Sequence, residues 1–234
     1  MRQANVIGAR TLTHNVRELT IDPGPGFAFD PGQWVSVRIP ADQGEDLARS
    51  YSIASAPREA GTFDLAVTLV EDGPGSGFLH RVPVGTPLSI SRAQGFFTME
   101  AYDRPVIMVA TGTGLSPFRS MLQALTARHD RLPYPVTVLL GVRSEQDLLY
   151  ADELATWQRT VAGFRFVPTL SRPGDAWTGR RGYVQTHLPD LVRGHDRDCD
   201  VYVCGLSRMV KEVRAILKGD LGLPKDRIHT ERYD

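Results

Sequence analysis

A chain of 234 residues, 41% hydrophobic and 23% charged, is long enough for one large globular domain or two small ones and can bury a proper core. Its 27 Lys plus Arg balance 27 Asp plus Glu, so no net charge draws it to nucleic acid or to an anionic membrane surface. The opening residues MRQANVIGARTLTHN lack the apolar run of a signal peptide, and no segment approaches the roughly 18 apolar residues of a membrane span, so the chain is expected to be cytoplasmic.

Residues 1–101 alternate in short apolar runs, QWVSVRIP (33–40), FDLAVTLV (63–70) and TPLSISRA (86–93), with turns DPGPG, DPGQ and EDGPGSG between them. Short strands at this spacing point to an antiparallel barrel or sandwich. The texture changes at AYDRP (101–105), and residues 102–234 form a second domain. There, near-continuous apolar strands PVIMVATG, PVTVLLGV, FRFVPTL, DVYVCG and RIHTERY alternate with helical patterns over 117–128, 151–160, 184–192 and 207–217. Strand and helix in alternation predict a parallel sheet covered on both faces.

Five stretches carry chemistry, each with a plain structural alternative. RSYS (49–52) sets a cation, an aromatic ring and a hydroxyl within four positions, suited to a phosphate and a flat ring. It also reads as an ordinary strand with sides alternating. DGPGSGFLH (72–80) is a glycine-rich turn before a short helix, with Ser76 and neighbouring amides open to a phosphate. ATGTGLSPF (110–118) links a buried strand to a helix; Gly112 and Gly114 allow a tight turn, Ser116 is placed to cap the helix, and Pro117 suits its first turn. Free amides at such a turn suit a pyrophosphate, though Pro117 stands where the dinucleotide fingerprint has its third glycine. VYVCGLSRMV (201–210) puts Cys204 and Gly205 at the carboxyl end of a strand, where an open sheet binds ligands; a buried cysteine is also simply a small hydrophobe. HTERYD (229–234) puts Glu231 and Tyr233 on one face of a last strand, or in an exposed tail. The two cysteines, Cys199 and Cys204, flank the alternating DVYV and are expected on opposite faces, which weighs against a disulfide, and no histidine stands at metal-ligand spacing.

In this order the five stretches resemble the ferredoxin-NADP reductase family, whose members carry R-x-Y-S, G-x-x-S-x-x-L, T-G-T-G-x-x-P, C-G and a final acid-x-aromatic. The corresponding residues are RSYS at 49–52, GPGSGFL at 73–79, TGTGLSP at 111–117, CG at 204–205 and ERY at 231–233. The resemblance implies a six-stranded antiparallel β-barrel holding FAD, then a doubly wound α/β domain holding NADPH or NADH. It assigns Arg49 to the flavin pyrophosphate, Tyr51 to stacking on the ring and Ser52 to a hydrogen bond near the hydride-accepting nitrogen. Val67, Thr68, Gly75, Ser76 and Gly77 complete the flavin site. Thr111, Gly112, Thr113, Gly114 and Pro117 would bind the nicotinamide nucleotide, with Cys204 and Gly205 beside them. Glu231 would act on the developing charge, and Tyr233 would hold the nicotinamide's stacking place until displaced. Asp234, which follows the aromatic, departs from the pattern in which that residue ends the chain.

At the adenosine end, Arg143, Ser171, Arg172, Arg181 and Tyr183 are similar to the phosphate-reading segment of NADP-using members, favouring NADPH, although Pro173 replaces the usual acid. Two cysteines cannot supply the four thiolates of a plant-type cluster, so electrons would leave to a separate ferredoxin, flavodoxin or oxygenase component. Arg58, Arg81 and Arg92 are candidates for its docking patch, and a monomer is expected. The alternatives are a free flavin or quinone reductase and a non-catalytic nucleotide-binding subunit.

Overall fold

The structure, a computed structural model, describes residues 1–41 and 45–233. The chain divides into two compact units, one of Met1–Met99 with Ser116–Ala124, the other of Glu100–Leu115 with the residues from Leu125 onward.

The first unit is a six-stranded antiparallel sheet of β1 (Arg2–Thr13), β2 (Val16–Asp22), β3 (Trp34–Ile39), β4 (Leu47–Ser52), β5 (Phe63–Thr68) and β6 (Pro87–Ile90). Its order is β4-β3-β6-β1-β2-β5, and an antiparallel bridge from Ile53, just past β4, to Leu65 of β5 joins the two edges into a barrel. The alternation legible in the sequence decides the inside: Val35, Val37 and Ile39 of β3, Leu19 and Ile21 of β2, and Leu65 and Val67 of β5 all fill the core. Helix α1 (Pro74–Arg81) follows β5 and adds Leu79 to that core.

The second unit is a six-stranded parallel sheet in the order β10-β9-β8-β7-β11-β12. Its strands are β7 (Val106–Thr111), β8 (Arg131–Val142), β9 (Ala162–Leu170), β10 (Arg180–Arg181), β11 (Asp200–Leu206) and β12 (Ile228–Tyr233). One face, with Ile107, Val109, Val201 and Val203, packs on α4 (Val184–Arg193) and α5 (Ser207–Ala215) through Leu188, Val192, Met209 and Val213. On the other face α3 (Ala151–Thr160) sets Trp157 edge-on against Phe164 of β9, with ring centroids 6.0 Å apart. Cys199 belongs to the first of these faces and Cys204, an odd number of residues away, to the other; both thiols are free and buried. Because β8 lies on one side of β7 and β11 on the other, the strand order reverses at the β7–β11 pair, the place where doubly wound sheets bind ligands beyond the strand ends.

Two boundaries differ from the sequence reading. The T-G-T-G turn forms a 3-10 turn over Gly112–Gly114 that runs straight into α2 (Leu115–Thr126), so Ser116 is a buried first-turn residue of the helix, two places past the position that could cap it. At the other end, α5 loosens into a π-helical turn over Ile216–Asp220. Among the described residues no helix is long and apolar enough to cross a membrane.

Candidate active site

In the barrel unit, the pleat of β4 sends Arg49 and Tyr51 to one side and Ser52 to the other, where it is buried. Arg49 and Tyr51 meet the start of α1. A β-carbon added to Gly75 would lie 2.8 Å from Arg49 Cγ and 3.4 Å from Tyr51 Oη, so only bare backbone fits between the arginine stem and the phenol. Pro74 occupies the first helical position, and helix geometry leaves the N–H groups of Gly75 and Ser76 without intrahelical acceptors. An exposed guanidinium beside two such amides at the positive end of a helix suits an anionic diphosphate. Burial pushes the Tyr51 hydroxyl above its usual range, partly offset by the Arg49 charge, so the phenol stays neutral as a ring-stacking group must.

The Ser76 hydroxyl is already engaged within the chain: its Oγ accepts from Val70 N–H at 3.0 Å and lies 3.2 Å from the Gly73 carbonyl. Its side chain thus braces the 70–73 loop, leaving its amide, with that of Gly75, as the group open to an anion. Gly77 lies against Arg81. Val67 turns into the barrel core and its carbonyl sits 2.8 Å from His80 Nε2, so it offers a ligand no side chain; Thr68 is half-buried. Beside α1 a shallow cleft of about 400 Å³ is lined by Leu69–Gly73, Pro74, Gly77 and Arg81. Leu69 and Val70 are exposed there. Sequence reasoning passed over them, yet the signal was present: the apolar run FDLAVTLV continues two residues beyond the last residue of β5.

In the second unit, the carboxyl ends of β7, β11 and β12 converge. Gly205 has φ +146°, and a β-carbon on it would fall 2.3 Å from Thr111 Oγ1; one on Gly114 would fall 2.3 Å from the Cys204 carbonyl. Glycine is therefore required for this close approach. The Thr111 hydroxyl oxygen is buried and, among the described residues, lacks a hydrogen-bond partner. Such an orphan at a strand switch point is suited to a polar ligand group.

Cys204 lies in register between Ala110 of β7 and Glu231 of β12 and is fully buried. Burial, then the Glu231 charge, push its thiol far above the usual range, against a hydrogen bond with Tyr233. The thiol is therefore held in its neutral form at ordinary pH. Tyr233 Oη donates to the Thr113 carbonyl at 3.3 Å, and Ser207 Oγ donates to the Tyr233 carbonyl at 3.4 Å. Thr111, Thr113, Cys204, Gly205, Glu231 and Tyr233 thus form one group; Asp234 lies outside the described residues.

At the ends of β8 and β9, Arg172 N–H donates to the Arg143 carbonyl at 2.7 Å and Ser171 N–H to Val142 at 3.1 Å, which brings two exposed arginines side by side. Arg181 is committed differently, donating from Nη2 to the Trp177 and Gly174 carbonyls at 2.8 and 3.3 Å and so holding the loop between β9 and β10. Tyr183 is 70% exposed where α4 begins. All three arginines read as a docking patch are exposed, and Arg58 in addition grips Asp64 through both terminal guanidinium nitrogens.

The cradle at Gly75 and the orphaned Thr111 hydroxyl fit the two groups the sequence implies, a diphosphate-bearing flavin and a nicotinamide. Comparison with known proteins agrees. The model of the oxidoreductase FAD-binding domain matches residues 3–99 and that of the oxidoreductase NAD-binding domain residues 108–215. The chain is similar to the ferredoxin–NADP reductase B of Sorangium cellulosum, 44% identical over 99% of this chain and 97% of the relative. It is 35% identical to the electron transfer component of a 2-halobenzoate 1,2-dioxygenase from Burkholderia cepacia, over 86% of this chain and 58% of that protein. A ferredoxin-NADP+ reductase from Plasmodium falciparum shares the fold, with a TM-score of 0.81 at 24% identity over 99% of this chain and 95% of the other.

Proposed function

The chain belongs to the ferredoxin-NADP reductase family, and from that premise we propose that it takes electrons from NADPH in preference to NADH and hands them singly to a ferredoxin, a flavodoxin or an oxygenase component. It is an FAD-dependent oxidoreductase that moves electrons from NAD(P)H to an electron carrier. Bound FAD supplies the redox chemistry, accepting two electrons together and releasing them one at a time.

The residues supply placement and electrostatics. Arg49 and the amides of Gly75 and Ser76 hold the flavin diphosphate, and Tyr51 packs on the flavin ring. Ser52 provides a hydrogen bond near the reacting edge. Thr111 supplies its unpaired hydroxyl to the nicotinamide end of the nucleotide, where Cys204 gives an uncharged wall and Gly205 leaves room. Glu231, partly exposed on β12, places negative charge where positive charge develops on the departing nicotinamide. Tyr233 rests on the Thr113 carbonyl and swings aside when the nucleotide enters.

The observation that carries the NADPH preference is the pairing of Arg143 with Arg172 at the β8 and β9 ends, a cationic site where the adenosine phosphate would lie. Replacing both with Gln should raise KM for NADPH by about tenfold or more while moving KM for NADH by less than about twofold. Equal changes for the two nucleotides would remove the preference.

A further inference from the structure

The adenosine end of the second unit carries a carboxylate that the cofactor roles leave unused. Glu145 is exposed and opens a single 3-10 turn, Glu145–Asp147, just past β8. Asp147 braces that turn: its Oδ2 accepts from Ser144 N–H at 2.9 Å and from Ser144 Oγ at 2.7 Å. Glu145 is thereby held two residues beyond Arg143.

Across the strand ends, both Glu145 carboxylate oxygens accept from Gly174 N–H, at 3.2 and 3.3 Å. Gly174 lies two residues beyond Arg172, whose own N–H is bonded to the Arg143 carbonyl. The Gly174 carbonyl is taken from another side, by Trp177 N–H at 3.2 Å and Arg181 Nη2 at 3.3 Å. Two residues of chain span at most about 7 Å. That keeps the anchor of the carboxylate within the roughly 8 Å over which a charge is felt at physiological salt. Glu145 is therefore fixed next to the arginine pair, yet its partner is a neutral amide, and among the described residues it forms no ion pair. Its negative charge stays uncancelled at the edge of a cationic site.

We propose that Glu145 is a specificity-determining residue for the nucleotide: its carboxylate opposes the extra adenosine phosphate of NADPH and so limits the preference set by Arg143 and Arg172, keeping NADH usable. This rests on the adenosine-end reading made above. A phosphate monoester carries a charge of about −1.5 to −2 at pH 7, and one carboxylate at this range weakens its binding by about threefold at low salt. NADH presents a neutral ribose hydroxyl at the same place, which a carboxylate does not repel and is able to accept from. A role confined to tying the loop through Gly174 would instead affect both nucleotides alike.

The test uses the full chain loaded with FAD and compares kcat/KM for NADPH and for NADH, with ferricyanide as acceptor, at about 10 mM and about 1 M salt. Glu145→Gln keeps an acceptor for Gly174 N–H and removes only the charge. The ratio of NADPH to NADH efficiency should rise about threefold at low salt and return to the wild-type ratio at high salt. Glu145→Lys, which changes the charge by two, should raise it about tenfold at low salt. A ratio that stays constant or falls in these variants overturns the proposal, as does a rise of equal size at both salt concentrations. The adenosine-end reading fails separately, if replacing Arg143 and Arg172 with Gln alters both nucleotides equally; if that replacement discriminates and Glu145→Gln does not, the role of Glu145 alone is refuted.

Discussion

Replacing Thr111 with Val keeps the shape of the side chain and removes only its hydroxyl, so two opposite effects should appear. Among the described residues that oxygen is buried without a partner. An unsatisfied buried hydroxyl costs about 1–3 kcal/mol, and its removal should leave stability unchanged or raise it by up to about 1 kcal/mol. For a chain of this length that is a rise of about 2–4 °C in Tm. With nucleotide present the sign reverses: the loss of one polar contact worth about 1.5 kcal/mol should weaken NADP+ binding by about tenfold. Thermal unfolding without ligand and a fluorescence titration with NADP+ measure the two halves. A Val variant that loses more than about 1 kcal/mol without ligand, or binds NADP+ as wild type does, would show that the hydroxyl is not waiting for the nucleotide.

Gly75→Ala, whose methyl would stand 2.8 Å from Arg49 Cγ, should lower FAD affinity by about tenfold through the displaced arginine; unchanged affinity in a fluorescence titration would remove Arg49 from the diphosphate site. Burial alone would raise the Asp64 pKa, but bonds from Arg58 and Thr20 and the charges of Arg58 and Arg119 hold it below the usual carboxylate value. Its ionised form therefore stabilises the fold above about pH 4, the unfolded value, and that contribution is lost as pH falls through the lower folded value. The stability gap between wild type and Asp64→Asn in urea should accordingly be widest near pH 7 and narrow below about pH 4; a gap constant with pH would contradict this pairing. Native protein should resist alkylation at Cys204 by iodoacetamide even at about pH 9, because burial and Glu231 keep the thiol protonated. Rapid labelling of Cys204 by mass spectrometry would show it to be accessible and ionised.

Both sheets were legible because side-chain periodicity reports local burial. Val35, Val37 and Ile39 alternate inward in β3, whereas the unbroken VIMVA of β7 can only lie between two layers. The RSYS, T-G-T-G and C-G stretches fall at strand ends, as their local pattern indicates. What the sequence hid is long-range. Arg119 belongs by periodicity to a helix of the second half, but its partners Ala54 and Asp64 are 65 and 55 residues away, and α2 packs with the barrel unit. Arg58 read as a free surface cation because nothing local shows that the chain turns at Gly61 and brings Asp64 back to it. Ser116 was misplaced as a cap because a 3-10 turn and a loop of three residues look alike in sequence.

Anaerobic mixing of the purified yellow protein with NADPH, followed by a ferredoxin or flavodoxin, tests the central claim most directly. NADPH should bleach the flavin absorbance within a single turnover, and the carrier should restore it while gaining one electron per molecule, two carriers for each flavin. Protein that retains no FAD, or whose flavin NADPH leaves oxidised, would contradict the account.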